Sequence, residues 1–245
     1  MEKVQSLRTI STTTKLRIAG YVVTIVVHTV NGLIMESGFY GGAMSDPGVR
    51  RYYEFRTRFI TCWTFVAQII YAALELYCEV KNIQGKKDSN IIKKIKQYND
   101  ITFPGIVVPY SFMVPTMFWT LFIYDKNLIL PAFMKKVVSS FSNHLVHTAV
   151  VPVVVWEMAF NPRYTRRSHA KNLMTLAFFT SIYLVVLIGS YYEKGIWPYP
   201  VLTYLQGTIY FRLFIGVTIG LLPFYYHIQW YIVDFLKRFQ SVKLE

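Results

Sequence analysis

Six stretches of this chain are so long and so apolar that one kind of structure can hold them. They run over approximately 18–35, 59–77, 101–124, 137–160, 173–192 and 213–233. About 20 helical residues, at 1.5 Å each, reach across the hydrocarbon core of a bilayer. In that core no water satisfies backbone N–H and C=O groups, so each stretch must close its hydrogen bonds within itself. The fold class expected is all-α: a multi-pass transmembrane helical bundle with about six membrane-spanning helices. The connections are short, so residues 1–245 read as one polytopic membrane domain with no soluble part. Composition agrees, because 53% of residues are hydrophobic and only 16% are charged, against about 25% charged in ordinary soluble domains.

The basic N-terminus followed by an apolar run could be a secretion signal. No small-residue cleavage site follows the run, which is as long as a span, so it reads as the first transmembrane helix. The net charge of +13 suggests nucleic acid, but its distribution does not. With a cytoplasmic N-terminus, 17 of the 26 Lys and Arg fall on the inner side and 8 on the outer, with Arg212 at the edge of the last run. That bias is the positive-inside rule. It places both termini in the cytoplasm, in the plasma membrane or an endomembrane. The basic loop expected between Lys81 and Lys96 suits anionic headgroups. No groove-reading motif supports a nucleic-acid partner. Protein partners are not legible. Cys62 and Cys78 lie sixteen residues apart on one helix, about 24 Å, too far for a mutual disulfide.

Polar residues at helical spacing mark the inward face of a membrane helix. Thr61, Thr64, Gln68, Tyr71 and Glu75 form one such stripe on the second run. Ser140, Asn143, His144 and His147 form another on the fourth, and Thr24, His28 and Asn31 a third on the first. The third and fifth runs show no comparable stripe. Together they predict a polar, wet cavity open toward the outer leaflet. Interhelical hydrogen bonding accounts for the stripes equally well, and spacing alone leaves both readings open.

The block Asn143-His144-Leu145-Val146-His147-Thr148 is the most costly to place in lipid, which makes it a functional-site hypothesis by default. His144 and His147, three residues apart, could share a metal, but no acid lies in the same turn, so no metal site is expected. The G-x-S-x-G elbow of serine hydrolases is absent. A hydroxyl paired with a histidine base remains. Thr61 and Thr64 are then candidate nucleophiles, and His147 the deeper candidate base, with Asn143 one turn away to orient it. Membrane threonines usually bond back to the carbonyl four residues earlier, so spacing alone gives Thr61 a structural role.

Further landmarks add to this. Arg58-Phe59-Ile60-Thr61 is followed by Gln68 and Phe103-Pro104. Phe118-Trp119, Tyr124-Asp125 and Pro131 come next, then the N-H-x-x-H-T block, Pro152, Glu157-Met158 and Gly195-Ile196-Trp197-Pro198-Tyr199-Pro200. In this order, from about Tyr53 to Tyr204, the chain resembles the androgen-induced and androgen-dependent TFPI-regulating protein family. These are multi-pass membrane hydrolases of fatty acid esters of hydroxy fatty acids (FAHFAs). The resemblance implies a carboxylic-ester hydrolase with a lipid substrate drawn from the membrane and no cofactor. It puts the threonine nucleophile on Thr61 and the base on His147. Asn143 or His144 would stabilise the oxyanion, and Arg58 or Arg56 would anchor the substrate carboxylate, with Gln68 a supporting residue. Glu157 lies about 15 Å along the axis from His147 and cannot be a third member.

One tension follows. In an unbroken fourth helix His147 would lie about 16 Å deep, whereas Thr61 is three residues past Arg58. For the two to meet, the second helix is expected to begin earlier, near Arg51. The competing class is a non-enzymatic lipid-binding or signalling-adaptor membrane protein using the same cavity.

Overall fold

The computed structural model describes residues 10–161 and 169–242. Its helices are α1 (Thr12–Ser37), α2 (Pro47–Phe55), α3 (Ile60–Ile83), α4 (Asn90–Thr102) and α5 (Val108–Asp125). They continue with α6 (Ser140–His147), α7 (Val150–Phe160), α8 (His169–Lys194), α9 (Pro200–Leu205) and α10 (Ile209–Val242). Among the described residues, five helical segments are each long and apolar enough to cross a membrane, over 12–37, 60–83, 90–128, 169–194 and 209–238. The sixth apolar run is the pair α6 and α7. The chain is an integral membrane protein, and large apolar side chains such as Val23, Leu33, Phe178, Val185 and Val217 cover its outside. Arg163, Arg166 and Arg167, which contributed to the inner charge excess, lie outside the described residues.

Two layers of packing build the bundle. α1 lies along α3 and touches α7, while α10 lies along α5 and also meets α7 and α8. The larger core joins Tyr110, Met113 and Val114 of α5 to Leu176, Tyr183 and Leu187 of α8 and to Leu222 and Tyr226 of α10. A second core gathers Tyr21, Tyr71, Phe103, Val154 and Met158 around the other end of α3. Residues 38–59 and 129–138 pack on each other through Phe39, Val49, Met134 and Val137 and close one end. Asp46 caps α2 by accepting from the Gly48 N–H at 2.8 Å, and Lys136 holds the same carboxylate at 2.6 Å.

Three sequence expectations change. First, α3 does not extend back to Arg51. Phe59 is extended (φ −78°, ψ 132°) and separates α3 from α2 and the 3-10 turn Arg56–Arg58. Second, the run 137–160 is not one helix. Pro152 has no N–H for the Thr148 carbonyl and its ring crowds that oxygen. The Thr148 and Ala149 N–H groups both turn to the His144 carbonyl, at 2.8 and 3.1 Å, and Val151 N–H takes the Thr148 carbonyl at 3.2 Å. Third, half of the basic loop expected between Lys81 and Lys96 is helix. α4 starts at Asn90 and runs through a π-helical segment, Phe103–Val107, directly into α5. Pro104 lies within that irregular stretch and Pro109 just after it, and the two prolines withdraw two N–H groups from the ladder.

Two of the three polar stripes face inward, whereas on the fourth run Asn143 is buried but Ser140 and His144 are exposed. Thr24, His28, Asn31, Thr64, Gln68, Tyr71 and Glu75 are all buried. The fifth run also has an inward face that the sequence reading missed, with Asn172, Thr180, Tyr183 and Ser190 buried on α8. Its members are separated by leucines at the same spacing, which hid the period.

Candidate functional site

Thr61 stands at the second position of α3, and this placement decides what its hydroxyl can do. Three residues on, Thr64 bonds back to the Ile60 carbonyl at 2.9 Å, as a helical threonine does. The residue four before Thr61 is Thr57, across the break at Phe59. Its carbonyl instead accepts from the Trp63 indole at 2.8 Å. The Thr61 hydroxyl is thereby released from its own helix, and its Oγ1 lies 3.3 Å from His147 Nε2.

The break itself is satisfied from far along the chain. The Ile60 N–H donates to Tyr199 Oη at 2.8 Å, and Tyr183 Oη–H donates to the Arg58 carbonyl at 3.3 Å. The two phenols meet at 2.9 Å. Since Tyr183 uses its proton on a carbonyl, Tyr199 gives its own to Tyr183, and every group in this chain has a partner.

His147 is the last residue of α6, and its ring is held on three sides. Nδ1 lies 3.1 Å from both the backbone carbonyl and the side-chain Oδ1 of Asn143. A carbonyl can only accept, so Nδ1 carries the proton and Nε2 presents a lone pair to Thr61. Phe118 stacks on the imidazole, with centroids 3.6 Å apart and planes within 13°. Because the helix is broken, the His147 carbonyl loses its Val151 donor and accepts from the Trp119 indole at 3.2 Å instead. The depth problem raised by an unbroken helix also disappears. α6 begins only at Ser140, so His147 lies seven residues, about 10 Å, along it.

Thr61, Asn143 and His147 all line a cavity of about 390 Å³, within the range of small-molecule sites. Its wall is largely apolar, formed by side chains such as Ile60, Met113, Val114, Leu187, Leu202 and Leu222. This corrects the expectation of a polar cavity. The stripe residues beyond Thr61 are spent on one another: Gln68 bonds His28, Ser111 and the Val150 carbonyl, and Asn99 bonds Glu75. Glu36 and Arg56 are the charged side chains on the wall, paired at 3.4 Å.

The other residues singled out in the sequence stand apart from this cavity. His144 is exposed, stacks on Trp119 at 4.9 Å and lies 3.3 Å from Thr148 Oγ1. Arg58 reaches away to Glu193 at 2.6 Å. Gln68 is fully buried about two turns beyond Thr61. Phe118, Trp119, Tyr183 and Tyr199 were not read as site residues, although Phe118-Trp119 and Tyr199 stand in the ordered landmarks. Among the described residues no three His, Cys, Asp or Glu side chains gather as a metal site would need, and both cysteines are free.

Comparison with known proteins then fixes the relationship. A sequence model of the FAR-17a/AIG1-like protein family matches residues 20–231. The chain belongs to this family. It is 30% identical over 147 residues to the androgen-dependent TFPI-regulating proteins of Mus musculus and Homo sapiens, covering 60% of this chain and 62% of each relative. The androgen-induced gene 1 protein of Homo sapiens is 23% identical over 174 residues, 69% of this chain and 72% of that one. The match thus spans about three-fifths of the length of the first relatives. No solved structure matches. In this FAR-17a/AIG1-like protein both Thr61 and His147 fall inside the matched range.

Proposed function

We propose that this protein is a membrane-embedded threonine hydrolase that cleaves the ester bond of FAHFAs to a fatty acid and a hydroxy fatty acid. The observation that carries the reading is the tautomer at His147. The acceptor-only Asn143 carbonyl keeps the proton on Nδ1, which leaves Nε2 basic and 3.3 Å from a threonine hydroxyl freed from its helix. A general base must first be within reach and in the right protonation state, and this pair meets both conditions.

His147 Nε2 takes the Thr61 proton as Oγ1 attacks the ester carbonyl. Collapse of the tetrahedral intermediate breaks the ester C–O bond, and the imidazolium gives its proton to the departing hydroxy fatty acid. Water, deprotonated by the same Nε2, then cleaves the acyl–threonine ester, and the proton returns to Oγ1 as the fatty acid leaves. The Asn143 carboxamide, on the cavity wall beside the pair, is assigned as oxyanion donor. The carboxylate anchor is assigned to Arg56, which lines the cavity, rather than to Arg58, which is held outside it by Glu193. The apolar wall suits two acyl chains.

A lipid-binding protein without turnover would use the same cavity, but would have no need of the freed hydroxyl facing a lone pair. The test is release of fatty acid from a FAHFA by membranes carrying Thr61→Ala or His147→Ala. Both should lose activity by about 10²-fold or more. Full turnover by either would exclude the mechanism.

A further inference from the structure

A second cavity, of about 350 Å³, lies between α1, α3 and α7 on the side of Gln68 away from Thr61. It shares no lining residue with the first. Its walls are mostly hydrocarbon, from Ala19, Val23, Val27, Ala72 and Val153. Val23 is 59% exposed on the bundle's outer surface, so the cavity meets the lipid there. Gly20 keeps one end narrow, since a Cβ there would stand 2.4 Å from the Trp156 indole nitrogen.

Two wall residues carry a buried polar atom without a hydrogen-bond partner among the described residues, the Tyr21 phenol oxygen and His28 Nδ1, and the second is fixed in its role by Gln68. Gln68 gives both amide hydrogens away, to Ser111 Oγ and to the Val150 carbonyl, each at 2.8 Å. The Val150 carbonyl can only accept, which fixes the amide with Oε1 toward His28 Nε2 at 2.8 Å. Oε1 can only accept as well, so the His28 proton is on Nε2. The other nitrogen, Nδ1, is then a bare lone pair, and among the described residues it has no hydrogen-bond partner. His28 is 1% exposed and its ring is stacked on Phe65 at 4.0 Å and 5°. The lone pair is therefore both desolvated and fixed in direction. A buried acceptor left unpaired is costly and calls for a donor.

We infer that this cavity is a binding site for a lipid alcohol: an amphipathic membrane lipid whose single free hydroxyl donates to His28 Nδ1 while its hydrocarbon lies along Val23, Val27 and Val153. A sterol and a diacylglycerol both present that chemistry. A hydroxyl fits because it can donate to His28 Nδ1 and accept from the Tyr21 phenol, and no cationic or phosphate-binding side chain lies on the wall. The volume falls in the range of ligand sites, and the opening faces the phase in which such lipids dissolve. The inference does not depend on the hydrolase reading, because neither Thr61 nor His147 takes part.

The test is photo-crosslinking of the full-length protein in lipid nanodiscs. The probes are a diazirine sterol, a diazirine diacylglycerol, and the O-methyl ether of each. The alcohol probes, or one of them, should label peptides spanning 19–28 and 149–157, and which one labels identifies the source. The matching ether should label them at least fivefold less. His28→Phe keeps the stack on Phe65 but removes the acceptor, and should reduce alcohol labelling to the ether level. Val23→Trp fills the mouth, leaves the Gln68 network untouched, and should block both. It serves if His28→Phe does not fold, as judged by gel filtration and Tm. Equal labelling by alcohol and ether would overturn the assignment. So would labelling unchanged in Val23→Trp, or no labelling of these peptides by any probe, the outcome if the cavity holds water only.

Discussion

At the scale of single residues, the chemistry proposed here turns on which nitrogen of His147 carries the proton. Asn143 sets this twice, through its carbonyl and through Oδ1, both 3.1 Å from Nδ1. Asn143→Ala removes one acceptor and leaves the other. It also removes the assigned oxyanion donor, so it should lower FAHFA hydrolysis by about 10²–10³-fold, while His147→Ala, which removes the general base, should lower it by up to about 10⁴-fold. Comparison of kcat for the two variants in the same membranes checks this. The sequence made His147 and Asn143 legible, since one turn separates them and both are polar in an apolar run. It misjudged Thr61. Spacing predicts a threonine bonded back to its own helix, and Thr64 behaves so. Thr61 escapes because the chain breaks at Phe59, which no local pattern announces.

At the scale of elements, two helix ends make the site, and each is held by residues distant in sequence. The start of α3 is held by Tyr199 and Tyr183, so Tyr199→Phe leaves the Ile60 N–H without its acceptor. An unpaired buried group costs about 1–3 kcal/mol. The variant should show a lower Tm and reduced hydrolysis, although its ring still fills the same space. Thermal unfolding and turnover, measured together, test it. The end of α6 depends on Pro152. In Pro152→Ala the Thr148 carbonyl can regain its helical donor, and the Trp119 contact to the His147 carbonyl then competes with Val151. Hydrolysis should fall with little change in Tm, whereas equal activity would mean that the break does not set the site. The apolar run 137–160 was read as one span because hydropathy averages over a proline that tolerates a membrane setting. The break at Phe59 was invisible for another reason: its stabilising phenols lie over a hundred residues away.

At the scale of the whole molecule, the six apolar runs and the inward stripes of the first two were legible because lipid leaves the backbone no alternative. The cavity's character was not. Sequence shows which residues face inward, but not that Gln68 bonds His28 and Ser111 away from the cavity and leaves the space near Thr61 to hydrocarbon. Charge enters that cavity through Arg56 and Glu36. Arg56→Gln should therefore raise KM for FAHFAs bearing a free carboxylate and change it little for their methyl esters. The end cap should respond to pH. Lys136, by hydrogen bond, and then the Gly48 N–H hold the Asp46 carboxyl below its ordinary pKa. A depressed folded value means stability that is present above the unfolded pKa of about 3.9 and lost as pH falls through the folded one. The Tm gap between the wild type and Asp46→Asn should be full at pH 6 and narrow on acidification below about 4. A gap constant down to pH 3 would show that the ion pair does not contribute.

The placement of Thr61 and His147 at helix ends has an electrostatic consequence. Thr61 stands in the first turn of α3 and His147 closes α6. Aligned peptide dipoles leave partial positive charge at a helix's start and partial negative charge at its finish. The proton transfer proposed here creates negative charge on or near the threonine oxygen and positive charge on the imidazole. Each new charge would arise at the helix terminus whose polarity favours it, worth about 0.3–1 kcal/mol per end at exposed sites and up to about 2 where partly buried. A Thr–His pair with no acidic third member would thus have its missing counter-charge supplied by the peptide backbone.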